Sequence, residues 1–242
     1  MGFYEKTGKL KAVTFSYDDG VTQDIQLVEL LNKYGLKCTF NLNSERISHR
    51  GRLVRENKMI SYYKLFPEDI KVVYEGHEVA AHTLNHPKLP EVADDNEVIR
   101  QVEQDRLNLS ELMGYEVVGM AYPGGGINND ERTAKIIKEN TGIKYARATE
   151  VLKDFDIDEN LYRFKGTCYH HENWNELFTL GEKFLDFNPE KPSVFYIFGH
   201  SYEFDIYPER WQIFEEFLKM MSNKNDIFYG TNKDVLLNWK GN

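Results

Sequence analysis

The sequence predicts an α/β fold built on parallel strands, and three observations predict it. Short β-rich runs alternate with longer amphipathic stretches from one end of the chain to the other. Glycines fall where those stretches give way to the next run. The chemically interesting residues gather just behind the strands. Strand-then-helix order repeated along a chain implies crossover helices, which leaves a (β/α) barrel or a doubly wound sheet.

The elements follow in order. Strands are expected at 11–17, 36–42, 77–81, 116–121, 143–147, 162–168, 193–199 and 226–229, each a short apolar or alternating run. Helices are expected at 24–34, 94–113, 130–140 and 208–222, where apolar residues recur at helical spacing. Gly35, Gly114 and Gly142 each stand where a helix ends, the usual place for a residue that adopts a left-handed conformation without cost. The least regular stretches, 43–65 and 148–161, read as loops or insertions that wall a cleft.

A chain of 242 residues, 41% hydrophobic and 14% aromatic, is long enough to bury a sizeable core, and one domain over 1–242 is the expectation. A formal charge of −9 without a clustered basic surface argues against a nucleic-acid partner. Cys38 and Cys168 form no CxxC pair, so neither a redox motif nor a zinc ribbon is present. Cys38, inside LKCTFNL, reads as core. No apolar run approaches the ~20 residues of a membrane helix. MGFYEKTGKLK lacks the hydrophobic segment of a secretory signal, and Thr7 is misplaced for lipidation, so a cytoplasmic protein without a membrane partner is expected.

The first strand, KAVTFSYDDG, ends on two adjacent carboxylates, Asp18 and Asp19. Asp-Asp-Gly is a common turn, yet other functional residue types share its position. His82 and His86 (AAHTLNHP) follow the third strand, Tyr122-Pro123-Gly124 the fourth, and His200 (FYIFGHS) the seventh. In a parallel barrel the C-terminal strand ends open on one face, where active sites assemble. Two histidines four apart reach one ion from a helical turn or compact loop, and a carboxylate from another strand end completes a two-histidine, one-carboxylate set with open positions. Such a set serves catalytic zinc or non-haem iron. The second aspartate favours hydrolysis, because that chemistry needs a general base to take a proton from the attacking water. A cation beside the pair would offset the repulsion between the two carboxylates.

TFSYDDG, HTLNHP, AYPGG and the late FGH, in this order, resemble the motifs of the polysaccharide deacetylase family, the metal-dependent carbohydrate esterases, over residues 12 to 200. The resemblance implies a distorted (β/α) barrel of about seven parallel strands with outer helices. It implies one divalent metal, with zinc expected, held by Asp19, His82 and His86. Asp18 then matches the catalytic base, His200 the histidine that protonates the leaving group, and Gly124 the donor of a backbone N–H to the oxyanion. The implied substrate is an acetylated mono- or oligosaccharide, N- or O-linked.

Two departures from the family pattern stand out. The family commonly carries an arginine two residues before the motif-three proline, where this chain has Ala121. Arg147 either supplies that guanidinium or snorkels from a strand end to the surface. The aspartate that orients the acid histidine has no direct match either. YHHENW offers His170, His171, Glu172 and Trp174, and SYEFD offers Glu203 and Asp205. Trp174 reads either as a sugar-stacking platform or as core. His49 and His77 belong to no motif and read as structural. The leading reading is a metal-dependent carbohydrate deacetylase; the alternatives are a hydrolase of small non-peptide amides on the same fold and a non-catalytic carbohydrate-binding homologue.

Overall fold

A computed structural model describes residues 2–170 and 173–237. The chain opens on α1 (Phe3–Thr7), β1 (Lys11–Asp18), α2 (Asp24–Lys33) and β2 (Cys38–Leu42), followed by a hairpin of β3 (Arg50–Arg55) and β4 (Lys58–Tyr63). Next come α3 (Pro67–Val73), β5 (Glu78–Ala81), α4 (Asp95–Ile99), a π-helical turn (Arg100–Gln104), α5 (Asp105–Met113), β6 (Gly119–Ala121), α6 (Glu131–Asn140) and β7 (Tyr145–Val151). β8 (Phe164–Gly166), β9 (Cys168–Tyr169), α7 (Trp174–Asp186), β10 (Ser193–Gly199), α8 (Glu209–Met221), β11 (Ile227–Tyr229) and α9 (Asn232–Leu236) complete it.

The main sheet runs β8-β7-β6-β5-β2-β1-β10-β9 with every pairing parallel. Its two ends are consecutive in the chain. Only Thr167 separates β8 from β9, and its N–H donates to the carbonyl of Tyr196 on β10 at 2.8 Å. One run, 164–169, therefore pairs with β7 through its first half and with β10 through its second, and the sheet curls round into a distorted barrel of seven positions. The expected strand at 162–168 is this broken run. The eighth expected strand, β11, pairs only with the first half of β1, at Lys11–Val13, and stands beside the ring.

Burial explains the strand and helix assignments. All eight residues of β1 are buried, as parallel strands covered on both faces require. α2 buries Asp24, Leu27, Val28 and Leu31, and α7 buries Leu177, Leu180, Gly181 and Phe184, each a single helical stripe. α6 starts at a capping box in which Asp130 accepts from the Thr133 N–H at 2.7 Å.

Several expectations need correction. The helix expected at 94–113 is interrupted by the π-helical turn. The stretch 43–65 is largely an ordered hairpin, and 67–73 is a helix opened by Pro67, a favoured first-turn residue. Gly35 and Gly114 do take left-handed conformations, but Gly142 does not. Its N–H donates to Glu103 Oε2 at 2.8 Å, and a Cβ there would lie 2.5 Å from the Arg106 guanidinium. Close approach, not chain reversal, calls for glycine at that position. No helix among the described residues is long and apolar enough to cross a membrane.

Candidate active site

The C-terminal ends of the strands open on one cavity of about 830 Å³, lined among others by Asp18, Asp19, His82, His86, Tyr122, Gly124, Arg147, Tyr169 and His200. Its centre is the turn after β1. Asp18 is the last residue of that strand, in register with Asn41 of β2, whose Nδ2 donates to Asp18 Oδ1 at 2.8 Å. Asp19 has φ of +85°, an uncommon conformation for a residue with a Cβ. Several contacts hold it there. Its N–H donates to Asn41 O at 2.9 Å, and the buried ammonium of Lys64 reaches both its carbonyl oxygen and, at 3.1 Å, its Oδ1.

His82 and His86 flank this turn from the loop after β5. The loop is compact rather than helical, with positive φ at both Thr83 and His86. The two imidazoles stand edge to face with centroids 4.8 Å apart. His82 is fully enclosed, and its Nδ1 lies 2.8 Å from the Ala121 carbonyl. A carbonyl only accepts, so Nδ1 carries the proton and Nε2 is left as a lone-pair donor, the tautomer a metal ligand needs. Burial lowers its pKa to about 4, which keeps the ring neutral. Asp105, placed at the end of the π-helical turn, accepts from the His82 N–H at 2.9 Å and from the Ser44 N–H at 2.7 Å, fixing this loop to the segment after β2.

One donor atom each from Asp19, His82 and His86 lies within 4.8 Å of the others, the only such group of metal-binding side chains among the described residues. Burial by itself would raise the Asp19 pKa, but Lys64 and the surrounding histidines hold it far below the ordinary carboxylate range. Two neutral imidazoles from the loop after β5 and an ionised carboxylate from the turn after β1 suit a divalent cation with open positions.

Arg147, on β7, is 1% exposed, so it does not snorkel. Its Nη2 lies 2.6 Å from Asp18 Oδ1 and 2.5 Å from Oδ2. Its strand partner across the β6–β7 ladder is Ala121, the position at which the family arginine is absent. The guanidinium thus enters from the neighbouring strand at the same level of the barrel. Burial would push the Asp18 pKa up; the adjacent Arg147 charge outweighs it and holds the carboxyl below its usual value.

His200 follows β10, with Nε2 3.9 Å from Asp19 Oδ2. Its Nδ1 lies 2.8 Å from the Tyr169 hydroxyl, which also lies 2.6 Å from Glu203 Oε1. The ionised carboxylate only accepts, so Tyr169 donates to Glu203 and accepts from His200 Nδ1–H. Glu203 is held in turn by His170 Nε2 at 3.0 Å, and His170 Nδ1 by the Tyr17 hydroxyl at 2.6 Å. Burial lowers the His200 pKa, but the Glu203 carboxylate more than compensates and brings it to about 9. Of the other acidic candidates, Asp205 accepts instead from Gln23 and Trp211. His171 and Glu172 lie outside the described residues.

Trp174 does not join the cavity. Half-buried, it packs against His170, Phe204 and Phe214 at the margin of the core. Pro123 is buried and holds the turn in which Gly124, at φ +82°, meets the cavity. The Gly124 N–H makes no hydrogen bond with the described residues, while its carbonyl accepts from Asn128. His77 accepts from the Cys38 N–H at the start of β2, away from the mouth, and Cys38 and Cys168 are buried thiols. Sequence reasoning missed Lys64, Tyr169, Asn41 and Asp105. Lys64 alone left a signal, a lysine inside the aromatic run SYYKLF.

The sequence profile described as Polysaccharide deacetylase matches residues 5–146. The peptidoglycan-N-acetylmuramic acid deacetylase PdaC of Bacillus subtilis (strain 168) is 25% identical over 126 residues, 51% of this chain and 23% of that protein. The putative polysaccharide deacetylase YxkH of the same strain is 24% identical over 147 residues, 60% of this chain and 47% of that protein. The chain therefore matches about a quarter and about half of the length of these relatives. The Xyl-CE4 domain of a multidomain xylanase from the hindgut metagenome of Trinervitermes trinervoides superposes with a TM-score of 0.58 at 15% identity, over 97% of this chain and 92% of that one, a likeness of fold. The profile spans the turn after β1, the histidine loop after β5 and the turn after β6, and on that match this chain belongs to the polysaccharide deacetylase family.

Proposed function

We propose that this chain is a metal-dependent hydrolase that removes acetyl groups from an acetylated saccharide. The observation that carries the reading is the division of labour at one mouth. Asp19, His82 and His86 form a cation-sized donor set; Asp18 is kept ionised by Arg147; His200 is kept protonated by the Glu203 carboxylate, with Tyr169 bonded to both.

A divalent cation held by that set supplies Lewis acidity, polarising the acetyl carbonyl and acidifying water. Asp18 acts as the general base that takes the proton from the attacking water. Its bond to Arg147 fixes the carboxylate in place, while Asn41 orients the same oxygen from the neighbouring strand. The Gly124 N–H, unengaged by the described residues, is the donor to the developing oxyanion. His200 presents Nε2 towards the cavity and gives its proton to the departing amine or alcohol, with Nδ1 anchored on Tyr169. The cavity volume falls within the range of small-ligand sites, so one or a few sugar rings are the expected occupants. Zinc is the expected metal.

Acetate release from acetylated chitooligosaccharides and acetylated xylooligosaccharides, measured alongside bound metal, tests the proposal. Release that chelator abolishes and divalent metal restores is expected with at least one set. Saccharide binding without release would make the chain a carbohydrate-binding homologue instead.

A further inference from the structure

Although the whole chain carries a charge of −9, its β3–β4 hairpin and the turn before it are basic. Arg46, Arg50, Arg52, Arg55 and Lys58 stand there against Glu45 and Glu56. Most of these charges are already engaged. Glu56 is taken by Arg210 of α8 at 2.9 Å, and Glu45 faces Arg100 at 3.6 Å. Arg50 covers the Tyr63 and Phe66 rings and donates to the Lys64 carbonyl. Lys58 lies over the Tyr207 ring at 3.8 Å. Among the described residues Arg52 reaches only Met59 Sδ, at 3.5 Å.

Arg46 and Arg55 differ from the rest. Both line the catalytic cavity, and neither has a carboxylate within ion-pair distance among the described residues. Among the described residues Arg55 makes a single side-chain bond, 3.2 Å to the carbonyl of its own neighbour Val54, and Arg46 makes none. Their placement follows from strand alternation. Leu53 and Arg55 share one face of β3, the face that also carries Ile60 and Tyr62 of β4 and turns toward the cavity, while Arg52, Val54 and Met59 point away. Arg46 flanks the His86 side, its charge felt at His86 and Tyr62. The charge of Arg55 is felt at Tyr202, whose ring meets that of Tyr62 at 5.6 Å and stacks on His200 at 4.8 Å. Two unneutralised guanidinium groups on the wall of a cavity, in an otherwise acidic protein, select for an anionic ligand.

We propose that Arg46 and Arg55 form a subsite for a carboxylate carried by the acetylated saccharide, so that the substrate class is an acidic rather than a neutral acetylated sugar. The proposal rests on the deacetylase reading and deepens it. A guanidinium meets a carboxylate through a planar two-point fork, which orients the sugar as well as attracting it. Partly exposed pairs of this kind are screened by salt, so the preference is strongest at low ionic strength. The carboxylate can belong to a uronic acid or to a lactyl ether on an amino sugar, and these are the two arms of the test.

The experiment compares acetate release from N-acetylglucosamine oligomers with matched oligomers containing N-acetylmuramic acid. A parallel comparison sets neutral acetylated xylooligosaccharides against those bearing a glucuronic acid branch. Each is run with wild-type, R46Q, R55Q, R46Q/R55Q and R52Q protein at low and at high salt. A ratio of kcat/KM, acidic over neutral, of about tenfold or more is expected in one arm at low salt, the size of about 1.4 kcal/mol of discrimination. It falls towards one in the double variant and in high salt, mainly through KM. R52Q makes the same charge change on the outer face and leaves the ratio as in wild type. A ratio near one in both arms, or an equal fall with R52Q, overturns the subsite while leaving the deacetylase reading intact. Calorimetric binding of the deacetylated acidic oligosaccharides gives a readout independent of turnover. Arginine-dependent binding without any acetate release keeps the subsite and removes the deacetylase reading; no binding and no acidic preference removes the subsite.

Discussion

Arg147 and Asp18 form a buried ion pair that links β7 to the end of β1, with Nη2 within 2.6 Å of both carboxylate oxygens. The pair has a spatial logic set by Ala121. Because Ala121 and Arg147 are partners in the β6–β7 ladder, a guanidinium from either position enters the barrel at the same height. Arg147→Ala is expected to leave Asp18 buried without its counter-charge, raise its pKa and lower turnover by roughly the 10²–10⁴-fold of a lost general base. Adding Ala121→Arg in the space so vacated is expected to restore part of the activity. Acetate-release rates of the single and double variants check this; a double variant no better than Arg147→Ala would show that the side of entry matters.

The Glu203 carboxylate raises the His200 pKa, and the Tyr169 hydroxyl bridges the two side chains. A leaving-group acid must hold its proton, so activity is expected to fall as pH rises through the His200 pKa, about 9. Glu203→Gln removes the charge that raises that pKa, so the alkaline limb of the pH–rate profile is expected to move to lower pH. Tyr169→Phe breaks the relay but keeps the carboxylate nearby and is expected to move the limb less. An unshifted limb in Glu203→Gln would separate the acidic group from His200.

The leaving group offers a second check on the same histidine. An amine departs poorly unless protonated, whereas an activated phenolate needs little help. His200→Ala is expected to abolish release from an N-acetyl sugar while largely sparing an activated aryl acetate. Equal losses on the two substrates would assign His200 to positioning.

Lys64 is the buried counter-charge of Asp19, with Nζ 3.1 Å from Oδ1 and both side chains almost completely enclosed. Removing one member of such a pair costs about 3–5 kcal/mol, because the other is left charged and buried. A bound cation would take over part of that compensation. Lys64→Met is therefore expected to lower the unfolding temperature of chelator-treated protein more than that of metal-loaded protein. Equal shifts in the two states would show that Lys64 acts only on the backbone of the turn.

The parallel strands, the shared face of the reactive residues and the spacing of His82 and His86 were legible in sequence because each leaves a local trace. Periodicity marks β1 and α2, and a strand end marks Asp18. What was not legible depends on neighbours far along the chain. The sequence left two readings of Arg147 open, and what decides for the partnership with Asp18 is the ladder register between β6 and β7, which no local pattern encodes. The relay from Glu203 to His200 passes through Tyr169, 34 positions before Glu203, on a two-residue strand with no periodicity of its own. The hairpin was hidden for a different reason. Its alternating basic and apolar residues resemble a solvated loop until Ile60 and Tyr62 are seen to be buried.

The most direct test of the proposed chemistry is the separation of metal from turnover at the two adjacent aspartates. Bound divalent metal and acetate release are measured together for Asp18→Asn, Asp19→Asn and His82→Ala. Wild-type protein is expected to hold about one ion per chain, the number one ligand set of this kind accommodates. Asp18→Asn is expected to keep the ion and lose turnover by roughly 10²–10⁴-fold, whereas Asp19→Asn and His82→Ala lose both. Full metal occupancy in Asp19→Asn or His82→Ala, or loss of metal in Asp18→Asn alone, would contradict the assignment of base and ligand.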